Sequence, residues 1–243
     1  MWVAFVIDSK NVEPKTDKAK VVEGQQRAAG VQKELNASKL EPDFNGPALT
    51  PKQQRILNEL LLDAAKKGNK EKVKKWLDKG ADVNFANKMK VTPLMLASMG
   101  GSTEIVELLL DRGAGIDLQD INGATALMGA SMFGRTETVM LLVKRGANVN
   151  ARTFDGKSPL MLSSMRGDLE SVKFLVTRGA SVNARTDDGK TPLMFASMNG
   201  NAAIVRFLVK KGAKVNVASD EGKTALDYAQ KKEIVKFLKK YGA

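Results

Sequence analysis

The sequence predicts an all-α solenoid of six stacked helix–turn–helix units, and three observations predict it. A ten-residue stretch recurs as "TPLMLASMGG" (92–101), "TALMGASMFG" (125–134), "SPLMLSSMRG" (158–167) and "TPLMFASMNG" (191–200), each copy 33 residues after the last. A second element keeps the same period: "GADVN" at 80, "GAGID" at 113, "GANVN" at 146, "GASVN" at 179 and "GAKVN" at 212. Between the two, apolar residues fall at helical spacing, as Ile105, Val106, Leu109 and Leu110 do in "TEIVELLLDRG". A fixed period of this length marks a repeat array, and no single unit can bury its apolar face alone.

The elements follow in order. Residues 1–49 open on an apolar run, Trp2–Ile7, and continue as a polar, Lys/Glu/Gln-rich stretch. Such a composition cannot offset its ordering entropy. It predicts a largely disordered arm that is dispensable for folding. The apolar start is a disordered end, a short docked segment, or the remnant of a longer hydrophobic leader. Thr50-Pro51-Lys52-Gln53 then reads as a helix start, with Thr50 as N-cap, Pro51 at the first helical position and Gln53 closing a capping box. The buried surface is expected to begin at Ile56 and Leu60, and Gly68 to stop the helix.

From there the units run over approximately 50–86, 87–119, 120–152, 153–185, 186–218 and 219–243. In each, a Pro or Ala opens the first helix and a Gly closes the second. Small residues such as Ala97 and Ser98 let the two helices approach closely. The last unit, from Thr224, is three residues short between its helices and reads as a C-terminal cap.

Composition removes much chemistry. The 243 residues contain no Cys and no His. That excludes a disulfide framework, a thiol nucleophile, a Cys/His zinc site and a Ser-His-Asp triad. No glycine-rich phosphate loop or paired catalytic acid and base is present, so no enzyme activity, cofactor, metal or small-molecule substrate is assigned. The formal net charge is +12, a field that attracts acidic partners and raises non-specific affinity for nucleic acid. No apolar run reaches the length of a membrane span. A cytoplasmic location is expected, or a periplasmic one if Trp2–Ile7 is what remains of a signal peptide.

The motifs resemble the ankyrin repeat family. Its pattern is matched by Asp120-Ile121-Asn122-Gly123 with Thr125, by Thr191-Pro192-Leu193 with Ala196, Ser197 and Gly200, and by Gly146-Ala147-Asn148-Val149-Asn150. The likeness covers about the last four-fifths of the chain, with the look of the small bacterial members. It implies an all-α ankyrin-repeat solenoid whose concave groove binds a protein. Two departures stand out. Met95, Met128, Met161 and Met194 replace the family His, removing a side-chain bond that ties neighbouring loops together. Lys90 stands where Gly123, Gly156, Gly189 and Gly222 stand in the later units. A left-handed backbone there would cost about 1 kcal/mol and predicts an irregular loop.

Each internal copy carries two methionines four residues apart. The first, following the buried Leu, is expected to fill the repeat junction. The second, at Met99, Met132, Met165 and Met198, falls where the resemblance places the groove. Flexible, polarizable Met suits an adaptable protein-binding surface. Thioether pairs also suit copper(I), but nothing else here completes a ligand set. The partner-binding candidates are these four together with Met89, Ile121, Phe133, Phe154, Asp155, Arg166, Asp187, Asp188 and Asn199. They describe a graded face, apolar in units two to four and carboxylate-rich in units five and six. The expected partner is a protein with an acidic or apolar contact surface. An inhibitor that occludes a partner enzyme, such as a secreted bacterial hydrolase, is the alternative, with Arg152, Arg166 or Arg185 set against an acidic channel. A nucleic-acid-binding reading rests on charge alone.

Overall fold

A computed structural model describes residues 49–242, and the expected arm falls outside them apart from Leu49. Eleven helices occur among the described residues and no strand. They are α1 (Pro51–Lys66), α2 (Lys70–Asp78), α3 (Pro93–Gly100), α4 (Thr103–Asp111), α5 (Ala126–Met132), α6 (Thr136–Lys144), α7 (Pro159–Arg166), α8 (Leu169–Thr177), α9 (Pro192–Met198), α10 (Ala202–Lys210) and α11 (Lys232–Lys240). The first helices, α1, α3, α5, α7 and α9, form an inner row. The second helices stack behind them as an outer row, and α11 closes it against α10.

Local chemistry sets each boundary. Thr50 accepts from the backbone N–H of Gln53, whose side chain returns the bond to Thr50 N at 2.9 Å. Thr92, Thr125, Ser158 and Thr191 cap the next four inner helices in the same way. In α7 and α9 the methionine takes the return half of the box. The sulfur atoms of Met161 and Met194 accept from Ser158 N and Thr191 N, both at 3.4 Å. The outer helices each run nine residues and end at a glycine of positive φ, such as Gly113 or Gly146.

The core lies between the two rows. Leu94, Leu127, Leu160 and Leu193 are fully buried, as are Leu109, Leu142, Leu175 and Leu208 from the outer helices. Each unit therefore completes its core only with its neighbours, as a repeat array requires.

Three expectations need correction. Burial in α1 begins at Leu57 and Leu61, while Ile56 and Leu60 are only half-buried. All four share one apolar stripe, and the neighbouring helices sit over its other edge. Lys90 does take a left-handed backbone, φ 55°, yet its loop is regular. Asn87 O accepts from Lys90 N at 2.8 Å, and the Asn87 side chain accepts from Met89 N and Val91 N. Those bonds hold the turn in the shape that Gly123 gives the next unit. In the last unit the first helix is reduced to turns over 225–228. Asp227 accepts from the N–H and hydroxyl of Thr224, both at 2.7 Å, and the three missing residues leave no length for a further helical turn before α11.

Candidate functional site

The site is built on the loops between units. Each carries a buried polar anchor, Asp120, Thr186 or Ser219, or the half-buried Asn87 and Thr153, whose own N–H closes the loop onto a carbonyl four residues on. The tips are then joined to one another through backbone. Met89 O accepts from Ile121 N, Asn122 O from Phe154 N, Asp155 O from Asp187 N, and Asp188 O from Asp220 N, at 2.9–3.1 Å. This ladder ties neighbouring loops where the sequence, lacking the family His, predicted a lost tie. A backbone ladder leaves no mark in residue type, which is why sequence reasoning missed it.

Two more ladders run beside it. Gln119, Arg152 and Arg185 each donate to the carbonyl 33 residues on, those of Arg152, Arg185 and Ala218. Asn84, Asn150 and Asn183 each accept from one backbone N–H of the next unit and donate to one of its carbonyls. The repeated Asn of the "GANVN" element was the visible signal for this one. Arg152 and Arg185 thus already serve the scaffold, and also lie 4.0 and 3.9 Å from Asp187 and Asp220. Each uses one terminal nitrogen for these contacts and stays exposed.

On this frame the side chains separate by unit. Met89, Ile121 and Phe154 occupy successive tips and are 40%, 39% and 70% exposed. Those values are large for apolar side chains, and the three sit one rung apart. The Phe154 ring lies along Gly123 of the preceding loop, where an added Cβ would meet it at 2.9 Å, so a bare glycine positions the aromatic. In units five and six the tips are ionic. Lys190 bridges Asp188 at 2.6 Å and Glu221 at 3.4 Å, and Lys223 pairs Glu221 at 2.8 Å. Asp155 pairs Lys157 at 2.7 Å and marks the change between the two regimes. Partial burial pushes Asp155 and Asp188 up, but hydrogen bonds from the adjacent Lys and Thr side chains outweigh it and hold both below the usual carboxylate range.

Beside the loops, the inner row contributes its second methionines. Met99, Met132, Met165 and Met198 are all half-buried near the ends of α3, α5, α7 and α9. Met99 leans over Gly129 of α5, where an added Cβ would meet its Cγ at 2.8 Å. Phe133 and Asn199 are the C-caps of α5 and α9 and continue the row, Phe133 half-buried and Asn199 exposed. Arg166 is exposed and lies over Gly134. The structure thus brings Met99, Met132, Met165 and Met198 into one repeated slot, and Met89, Ile121, Phe154, Asp155, Asp187 and Asp188 onto one ladder.

Other candidate chemistry is sparse. A shallow hollow of about 300 Å³ lies between Gly100-Gly101 and Gly134–Thr138, lined mainly by glycine and polar groups. No cluster of acidic residues that could hold a metal occurs among the described residues, and no helix there is long and apolar enough to cross a membrane.

Stacked helix pairs, capped identically and tied by loop ladders, define a helical-repeat scaffold. The family model for ankyrin repeats matches residues 61–153 and 160–243, and the chain belongs to that family. Ankyrin repeats are in general protein–protein interaction modules, typically without enzymatic activity. A search of curated proteins returned no match to this chain.

Proposed function

We propose that this chain is a non-enzymatic module that binds a protein partner through its second-methionine row and loop tips. Units two to four supply an apolar contact, and units five and six a charged rim. One observation carries the reading: Met89, Ile121 and Phe154 stand exposed on adjacent rungs of a rigid backbone ladder. Apolar side chains preorganised in this way lose little entropy on contact, and an aromatic–apolar centre with a polar rim is the usual anatomy of an interface hot spot. The carboxylates at the rim are already matched by lysines, so they orient a partner more than they hold it.

The test is affinity capture from native lysate with the wild type and with Phe154→Ala and Met132→Glu. A protein retained by the wild type and lost with both variants supports the reading. Equal retention by all three would move the contact elsewhere. A captured enzyme whose activity falls on binding would establish the inhibitory form.

A further inference from the structure

The outer row is richest in cations at its two ends. With their end residues, α2, α4, α6, α8 and α10 (70–79, 103–112, 136–145, 169–178, 202–211) carry basic and acidic residues at five and two, one and three, two and one, two and one, and three and none. The last helix (232–241) carries four and one. In α10 and α11 that leaves seven cations for one carboxylate, Glu233, which Arg206 holds across units at 3.9 Å. Asp78 and Asp111 hold Arg112 and Arg145 of the following units at 2.9 and 2.6 Å. In the next three units that position is Lys144, Thr177 and Lys210. Lys210, Lys211, Lys236, Lys239 and Lys240 are exposed and have no ion pair among the described residues. Basic residues near helix C-termini are favourable in themselves, but that accounts neither for Lys236, in mid-helix, nor for the missing carboxylates.

Aromatic rings lie beneath this charge. Phe174, Phe207 and Phe237 occupy one register of α8, α10 and α11, with Arg178, Lys211 and Arg206 over their faces at 4.8, 5.9 and 5.0 Å. Tyr241, 53% exposed, ends the row 4.6 Å from the Phe237 ring.

We propose that this outer face of units five and six is a docking surface for an anionic phospholipid bilayer. The unpaired charge is almost all lysine, a flexible point charge suited to a diffuse field of headgroups. Arginine, the better fit to fixed phosphate geometry, is here committed to ring faces. Each Phe ring carries a cation over one face, which makes these rings poor platforms for the stacked bases that single-stranded nucleic acid requires. Parallel helices in one layer present their lysines side by side to a planar surface. Tyr241 adds an aromatic with a polar tip, the type that settles at headgroup level.

The test uses the full chain and sedimentation with vesicles of phosphatidylcholine, alone or with phosphatidylserine. Binding should require phosphatidylserine and be released by salt. Each lysine near such a surface contributes about fivefold. Lys210→Glu, Lys211→Glu, Lys239→Glu and Lys240→Glu together should therefore weaken binding by at least about a hundredfold. Reversing Lys52, Lys66, Lys72 and Lys74 changes net charge equally at the other end and should weaken it far less. Melts of both variants check folding, and a Lys→Gln set replaces any that unfolds. Equal losses in the two sets, binding without phosphatidylserine, or tighter binding to duplex DNA at the same salt would each overturn the proposal. Phe154→Ala, in the inner site, should leave vesicle binding unchanged.

Discussion

The two methionine columns differ by four residues in sequence and by their whole physical role. Met95, Met128, Met161 and Met194 are at most 5% exposed, against the core leucines. Met99, Met132, Met165 and Met198 stay half-buried at the open end of the same helices. One turn of helix leaves a side chain on nearly the same face, so periodicity alone cannot separate them. What separates them is the neighbouring unit, which closes over the first methionine and covers the second only in part. The same residue type fills the junction in one column and, in the proposed function, meets a partner in the other.

Truncation at the junction should have the largest effect on folding. Met128→Ala leaves a cavity between fully buried leucines and should cost about 2–4 kcal/mol in urea melts. A cost below about half a kcal/mol would mean that the junction collapses freely and that the columns do not differ. The groove should behave the opposite way. Met132→Glu and Phe154→Ala should each weaken partner binding by about 2 kcal/mol, with melting nearly unchanged. Unfolding of Met132→Glu would place that methionine in the core.

A further substitution probes the packing behind both columns. Ser98, Ser131, Ser164 and Ser197 repeat every 33 residues, fully buried, with hydroxyl oxygens that find no partner. An unsatisfied buried hydroxyl is costly. Ser131→Ala should therefore raise stability by about 1 kcal/mol. A loss instead would reveal a bond that the hydroxyl makes.

Much of this was legible in the sequence. The period of 33 located each internal unit, and Thr50 with Gln53 located the first helix to the residue. The family pattern located the loop tips. Three things were not legible, each for a physical reason. The tip ladder is made of backbone, which residue identity does not record. Arg152 and Arg185 read as free charge, because only three-dimensional stacking shows carbonyls one period away within their reach. The outer aromatic register lay hidden because Phe174, Phe207 and Phe237 also satisfy the apolar stripe of an ordinary helix.

The exposed side also has strain of its own. Lys90 holds φ 55° so that Met89 can join the ladder. Lys90→Gly should remove that strain and stabilise by about 0.5–1 kcal/mol, a thermal melt being the measure. No gain would mean that the glycine's extra freedom in the unfolded chain cancels the relief.

The smallest effect is expected from the ionic tips, and its sign can be worked out. Asp155 and Asp188 are held below the ordinary value of 3.8 in the folded chain. A carboxyl depressed by folding stabilises the fold above its unfolded pKa, and that stabilisation disappears as pH falls through the folded value. The contribution is therefore complete at neutral pH and lost only in acid, below about pH 4. Both groups face solvent, which screens them, so each pair is worth less than about 1 kcal/mol. Asp188→Asn should lower stability slightly at pH 7, and the gap from wild type should narrow as pH falls below about 4. Met128→Ala, whose cost is a cavity, should keep its full gap at both pH values. If the Asp188→Asn gap persists in acid, Asp188 holds its loop by shape and hydrogen bonding, and the exposed side is stabilised much as the junction is.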